Sequence, residues 1–439
     1  MSIQTQYKQE REQIQMLLGE MGEMLGQHSG FVQRRSKIGG NELIQILTLG
    51  CLEDGSATLS TFCQVASDLG IEISEAGLHY RLSQEGVELL RQVCQLYIHQ
   101  LNEKIERSGV LMGFGAVRIF DSSHILLPKE HAEIFPTSRN SATMKVQLCY
   151  EYHSGRVEAV EVETGLDPDQ KCNLSQELSK KGDLAIFDLG YFKQERFAEL
   201  HAEEVCFLSR FYNQTGVYDG DNEDVKIDLL TWLGELPKTK TSGERKLLMG
   251  ARQKVPVRMV YYRVPPHIAQ ERRRKAKQKA KKCGKTCQQS TLDWLDWLIF
   301  VTNVPVALIT LEQVAIVYRL RWQIEILFKV WKQELDWGTI GKWRIERILC
   351  QFYARCLALL LFHNLINKYQ AEWDWEISWQ KALKILKRKI SKFIDIVSQN
   401  FRGILNFLKQ LDRDIRQFAT KRKRRTSLST YDLLKLVRA

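Results

Sequence analysis

Residues 184–191 read LAIFDLGY and residues 117–124 read VRIFDSSH, two short and mostly apolar runs that each close on an aspartate. Such runs, bounded by turn-forming residues, suit strands buried in a core. Each is therefore expected to carry its acid, Asp188 or Asp121, to one edge of a sheet. Between them Met144–Tyr152 and Val157–Thr164 alternate as a hairpin around Ser154, Gly155 and Arg156, and Gln170–Lys181 has helical periodicity. After Asp188 a helix through Leu200 and a strand from Val205 to Arg210 follow. The order strand, strand, strand, helix, strand predicts an α/β fold. An aspartate at a strand end also serves as a turn or helix cap, and Asp183 after Gly182, like Asp167 and Asp169 around Pro168, reads that way.

A third acid stands in residues 318–332, YRLRWQIEILFKVWK. Wound as one helix from Tyr318 at about 100° per residue, the side chains of Arg321, Trp322, Glu325, Lys329 and Lys332 share one face. Leu320, Ile324, Ile326, Leu327, Val330 and Trp331 take the other. Two readings fit that pattern. One is an amphipathic surface helix with an Arg321–Glu325 ion pair at i,i+4 spacing. The other is the equipment of a metal-dependent enzyme acting on nucleic acid: Glu325 as a hard oxygen ligand, with Arg321, Lys329 and Lys332 for phosphate.

The spacing Tyr318-x2-Arg321-x3-Glu325-x6-Lys332 resembles the signature of the DDE transposases of the bacterial insertion sequence four family, whose last active-site helix commonly carries Arg-Trp before Ile-Glu, as Arg321, Trp322, Ile324 and Glu325 do. The first two motifs of that family resemble strand-Asp-Ser/Thr-Ser/Thr and strand-Asp-x-Gly-Tyr/Phe, which Asp121 and Asp188 match. Leu189 stands where the family often has Arg. The resemblance implies a ribonuclease H-like catalytic core, interrupted by a mainly β insertion, with helical N- and C-terminal regions. It implies that Asp121, Asp188 and Glu325 bind two Mg2+ ions, for which Mn2+ can substitute, and cut and rejoin phosphodiesters with no covalent enzyme intermediate. Arg321 and Lys332 would clamp the strand beside the scissile phosphate and Tyr318 would contact the neighbouring backbone. The implied partners are double-stranded DNA, as terminal inverted repeats and target, and a second protomer in the synaptic complex. A nuclease of the same fold without strand transfer, and a DNA-binding descendant without activity, are the alternatives.

The acids at 188 and 325 are separated by enough chain for an insertion, and within it Arg272, Arg273, Arg274, Lys275, Lys277, Lys279, Lys281, Lys282 and Lys285 form a dense cationic run. It reads as a DNA-phosphate contact or as a solvated helix or loop. Asp296–Asn303 reads as the strand that returns to the core. Its Trp297 resembles the aromatic of the transposon five transposase that stacks on a base flipped from the duplex during hairpin formation, and equally suits a core position. Arg210 matches an arginine near the same relative's active site, for phosphate or for an acid.

The expected zones are 1–111, helical and DNA-binding; 112–210, the first part of the core; 211–310, the β-rich basic insertion; 311–370, the second part of the core; and 371–439, basic and helical. In the first, Leu59–Leu69, Gly70 and Ser74–Leu82 have the layout of a helix-turn-helix or of a plain helical hairpin. Arg34, Arg35 and Lys37 precede it. The last zone ends in Lys421–Arg425 and Tyr431–Val437 and is a candidate for contacts between protomers. A net charge of +12 with pI near 9.1 suits a polyanionic partner. The 10 cysteines lie mostly in apolar segments, as reduced core thiols do. No signal-peptide pattern opens the chain and the apolar run around Leu357–Phe362 is short for a membrane span, so a soluble protein of the bacterial cytoplasm is expected.

Overall fold

The computed structural model describes residues 3–34, 37–101, 111–138, 141–336, 340–367 and 377–421. Arg35, Arg422–Arg425 and Tyr431–Val437 lie outside the described residues. The chain opens with α1 (Ile3–Gln15), α2 (Met21–Gly26), α3 (Gly40–Glu53), α4 (Leu59–Asp68), α5 (Glu75–Arg81) and α6 (Gln84–Leu101). The core elements are β1 (Val117–Leu127), β2 (Ala142–Glu151), β3 (Arg156–Thr164), α7 (Leu174–Leu178), β4 (Leu184–Phe187), α8 (Gln194–Ala202) and β5 (Cys206–Arg210). The insertion contributes β6 (Val217–Asp219), β7 (Lys226–Ile227), α9 (Leu229–Glu235), β8 (Ser242–Met249), β9 (Val255–Arg263), α10 (Pro266–Lys282), α11 (Gln289–Trp294) and β10 (Trp297–Thr302). Helices α12 (Leu311–Tyr318), α13 (Trp322–Glu334), α14 (Ile345–Asn367), α15 (Trp379–Lys387), α16 (Ile390–Ser398) and α17 (Ile404–Phe418) follow. The run from β1 through β4 has the strand and helix order of a ribonuclease H-like core.

These elements fall into two compact units: one from the described residues of Met1–Ile105, Ser122–Asp167 and Gln323–Ser427, the other from those of Glu106–Asp121 and Pro168–Trp322. In the first, α14 packs on α3 and α6, and β3 packs on α6 and α14. Helix α14 is long and apolar enough to cross a bilayer, but its apolar side chains are buried in this packing and form the unit's core. The β2–β3 hairpin pairs in antiparallel register from Met144↔Thr164 to Glu151↔Arg156. Glycines let α2 and α3 cross closely: a Cβ on Gly40 would stand 2.0 Å from the Gly22 carbonyl oxygen. Helices α4 and α5 have the helix-turn-helix layout, with Gly70 at φ +77° and the Ser74 hydroxyl accepting from the Gly77 amide at 3.2 Å. Arg81 at the end of α5 turns inward, donating to the Ile38 carbonyl at 2.8 Å and covering the Phe31 ring.

The second unit holds a sheet of order β1-β4-β5-β10-β9-β8-β6-β7. Strands β1, β4 and β5 are parallel, and β10, β9, β8, β6 and β7 pair antiparallel. The expected insertion is thus a continuation of the core sheet, with β10 returning between β5 and β9. Two expectations change. The helix expected over 170–181 is a 3-10 turn (Asp169–Lys171) followed by the five-residue α7, because Asp183 takes the Lys180 amide at 2.8 Å and Gly182 reverses the chain at φ +84°. Helix 318–332 is likewise broken: α12 ends at Tyr318, Arg319–Arg321 form a 3-10 turn, and α13 starts at Trp322.

Candidate active site

The parallel registers fix the site before any side chain is considered. Phe120 pairs with Phe187 across β1 and β4, and Phe187 pairs with Ser209 across β4 and β5. The next residue on each strand is Asp121, Asp188 or Arg210, so all three stand in one row across adjacent parallel strands, at the carboxyl ends of β4 and β5, where α/β sheets bind ligands, whereas Asp121, expected at a strand end, lies within β1. Strand β1 runs on through Asp121 to Leu127, its burial changing from continuous to alternating at the acid. Asp188 leaves the sheet directly into a 3-10 turn, Leu189–Tyr191. Beneath the row the Phe120 and Phe187 rings stack with centroids 5.3 Å apart.

Arg321 joins the two acids. Its Nη1 is 3.6 Å from Asp121 Oδ2 and its Nε is 3.9 Å from Asp188 Oδ1. These are ion-pair distances beyond good hydrogen-bond length, so one cationic group faces both carboxylates without tightly engaging either through these contacts. Hard carboxylate oxygens sharing one cationic neighbour are the donor class that takes Mg2+ or Mn2+, and the pair fits a divalent ion on that ground. Tyr318 is 7% exposed, its ring 4.9 Å from Phe300 and Arg321 Cζ 5.9 Å from its centroid. Burial pushes its phenol up to about 12 against the opposing pull of Arg321. Tyr318, expected to contact the DNA backbone, is buried at the end of α12 with its ring beside Arg321, just before the 3-10 turn at Arg319–Arg321. Ile326, expected on the buried face, is exposed.

Electrostatics gather further cations near the row. The guanidinium of Arg272 is pulled below its usual range first by burial and then by Arg210, a neighbourhood of like charges that suits a phosphate. Arg272 lies on α10, so the expected basic run is helical from Arg272 to Lys282. Arg273 pairs with Asp296, and Glu271 pairs with Arg274 at 2.8 Å and Lys275 at 3.4 Å. Lys277, Lys279, Lys281, Lys282 and Lys285 are exposed. Trp297 opens β10 and is 7% exposed, with Arg263 Cζ 4.2 Å from its ring centroid and the Tyr261 ring against it at 75°. Glu325, Lys329 and Lys332 are exposed on α13 and belong to the first unit.

Two supports have no counterpart in the sequence reading. Arg258 on β9 donates to the Ile309 carbonyl at 2.7 Å, and Tyr262 four residues on donates to the Leu311 carbonyl. Together they fix the start of α12, and so the approach to Tyr318 and Arg321. The local signal was an arginine in the middle of the apolar run Val255–Tyr262.

The family described as Transposase DDE domain matches residues 113–361, over half of the chain. A transposase for insertion sequence element IS231C from Bacillus thuringiensis subsp. berliner is 28% identical over 443 residues, covering 94% of this chain and 92% of that protein. The transposase for insertion sequence element IS1151 of Clostridium perfringens is 26% identical, covering 94% and 93%. A cryo-EM structure of the piggyBac transposase synaptic complex with hairpin DNA superposes with a TM-score of 0.43 at 10% identity, over 95% of this chain and 85% of that one. Transposases of this family depend on a divalent metal, which the paired aspartates are suited to hold. The chain belongs to the DDE transposase family, as the DNA-cutting and DNA-joining enzyme of an insertion sequence.

Proposed function

We propose that this transposase binds the terminal inverted repeats of its element as a dimer and moves the element by cut-and-paste, cleaving at its ends and joining the freed 3′ ends to target DNA. The reading rests on one observation above all: the β1–β4 register sets Asp121 and Asp188 side by side, both within ion-pair range of Arg321. Glu325, four residues after Arg321, is the third ligand in this proposal. Two Mg2+ ions, or Mn2+ in their place, would supply an activated nucleophile and charge neutralisation at the scissile phosphate. The chain's own residues do the rest. Asp121 and Asp188 arrive on rigid strands, so their oxygens are held without reorganisation. Arg321 would trade its long carboxylate contacts for a phosphate oxygen, Tyr318 would fix its stem, and Arg210 with Arg272 would hold the neighbouring backbone. Lys329 and Lys332 on α13 are further phosphate contacts in this proposal, and a chain of this charge belongs with the nucleoid in the bacterial cytoplasm.

A hairpin route rests on Trp297. Stacking of an extruded base there requires Arg263 to swing off the ring.

The experiment is cleavage of a linear fragment carrying the element's end. Asp121→Asn and Asp188→Asn are each expected to abolish nicking in Mg2+ and Mn2+ while retaining a gel shift with the end. Normal nicking by either variant would remove it from the site.

A further inference from the structure

We propose that Arg196 is a positioning residue for Asp188: through the turn after β4 it sets the direction in which the second carboxylate presents itself to metal. The inference rests on the reading of Asp188 as a ligand. Arg196 lies in the first turn of α8 and is 0% exposed. Its hydrogen bonds end on uncharged oxygens. Nη1 donates to the Tyr191 carbonyl at 2.7 Å, Nη2 donates to the carbonyls of Gln170 at 3.2 Å and of Cys172, and Nε donates to Gln176 Oε1 at 3.5 Å. A guanidinium taken out of water is retained only where its fork is well satisfied, and burial is the main cause that pulls this one below its usual range.

What the fork grips matters most. Tyr191 closes the 3-10 turn that Asp188 opens, its amide donating to the Asp188 carbonyl at 3.1 Å. Arg196 Cζ also stands 5.7 Å from the ring centroids of both Tyr191 and Phe187. Phe187 is the residue before Asp188, and its ring stacks on Phe120, the residue before Asp121. One buried cation therefore braces the backbone just after Asp188 and the aromatic layer just beneath both acids. Across the same turn Gly190 faces Asp169 so closely that a Cβ would stand 2.8 Å from Asp169 Oδ2. The turn is thus held from two sides, by Arg196 and by the 169–172 segment that Arg196 also grips. Lysine keeps the charge but cannot span three carbonyls lying in different directions.

The test uses the full chain with end DNA, comparing Arg196→Lys, Gly190→Ala, which presses on the same turn without touching Arg196, and Asp188→Asn. Mn2+ binding is read by the loss of free-ion electron spin resonance signal, beside kcat, KM for the DNA end, and Tm. Arg196→Lys is expected to weaken Mn2+ binding about tenfold or more and to lower kcat with KM unchanged. Gly190→Ala should follow in the same direction, and does so even if Arg196→Lys fails to fold. Wild-type Mn2+ affinity and kcat in folded Arg196→Lys, with only Tm reduced, would overturn the proposal, as would wild-type Mn2+ affinity in Gly190→Ala. Retained cleavage and Mn2+ binding in Asp188→Asn would instead strike the reading of Asp188 on which the inference stands.

Discussion

Trp297 carries the sharpest choice among single residues. Its ring is covered by Arg263 on a face and by Tyr261 at an edge, and it is nearly closed to solvent. Truncating an aromatic so enclosed costs about 3–5 kcal/mol. Trp297→Ala is accordingly expected to lower Tm markedly in thermal unfolding of the purified chain. If instead the variant melts as the wild type does, nicks normally and is slow only in hairpin closure, with rescue by an abasic nucleotide, the ring serves a flipped base. The two aspartates were legible because a short apolar run leading into an acid is a local pattern, whereas the parallel pairing of the two runs was not. Arg196 and Arg258 were not. Each looks like an ordinary surface arginine until distant chain closes over it, and the carbonyl that Arg258 reaches, that of Ile309, lies 51 residues away.

Among the elements, α10 is half committed to its own unit. Arg273, Arg274 and Lys275 have acidic partners, whereas the run from Lys277 to Lys282 is exposed and has none among the described residues. Cations already paired release fewer DNA counterions on binding. Replacing Lys277, Lys279, Lys281 and Lys282 with Gln should flatten the slope of log affinity against log salt by up to about four units. Replacing Arg272, Arg273, Arg274 and Lys275 should flatten it less. Titrating both variants with specific and nonspecific duplexes over a salt series measures this, and equal or unchanged slopes would assign the helix to solvent. The charge of the run was readable from composition but whether it is helix or loop was not, and neither was the break at Arg319–Arg321, since no proline, glycine or capping residue marks it. The reach of the insertion was hidden for a related reason. A strand's pattern shows that it pairs, not with which neighbour, so β6–β10 read as a separate zone although they extend the core sheet.

For the whole molecule, basic charge, family and a pair of acids side by side on adjacent strands converge on metal-dependent chemistry at DNA. Charge and spacing could indicate the partner and the reaction class. The parallel register of β1 with β4, which no local stretch of sequence states, is what turns two separate aspartates into a site. The claim that stands or falls with the account is that this pair holds the metal. Crystals of the full chain with its end DNA, grown in Mn2+ and measured at the manganese absorption edge, test it directly. The account predicts an anomalous peak about 2 Å from carboxylate oxygens of both Asp121 and Asp188, with Arg321 moved off them toward phosphate and Glu325 in the same coordination cluster. Manganese bound elsewhere beside the DNA end, with none between Asp121 and Asp188, would contradict it.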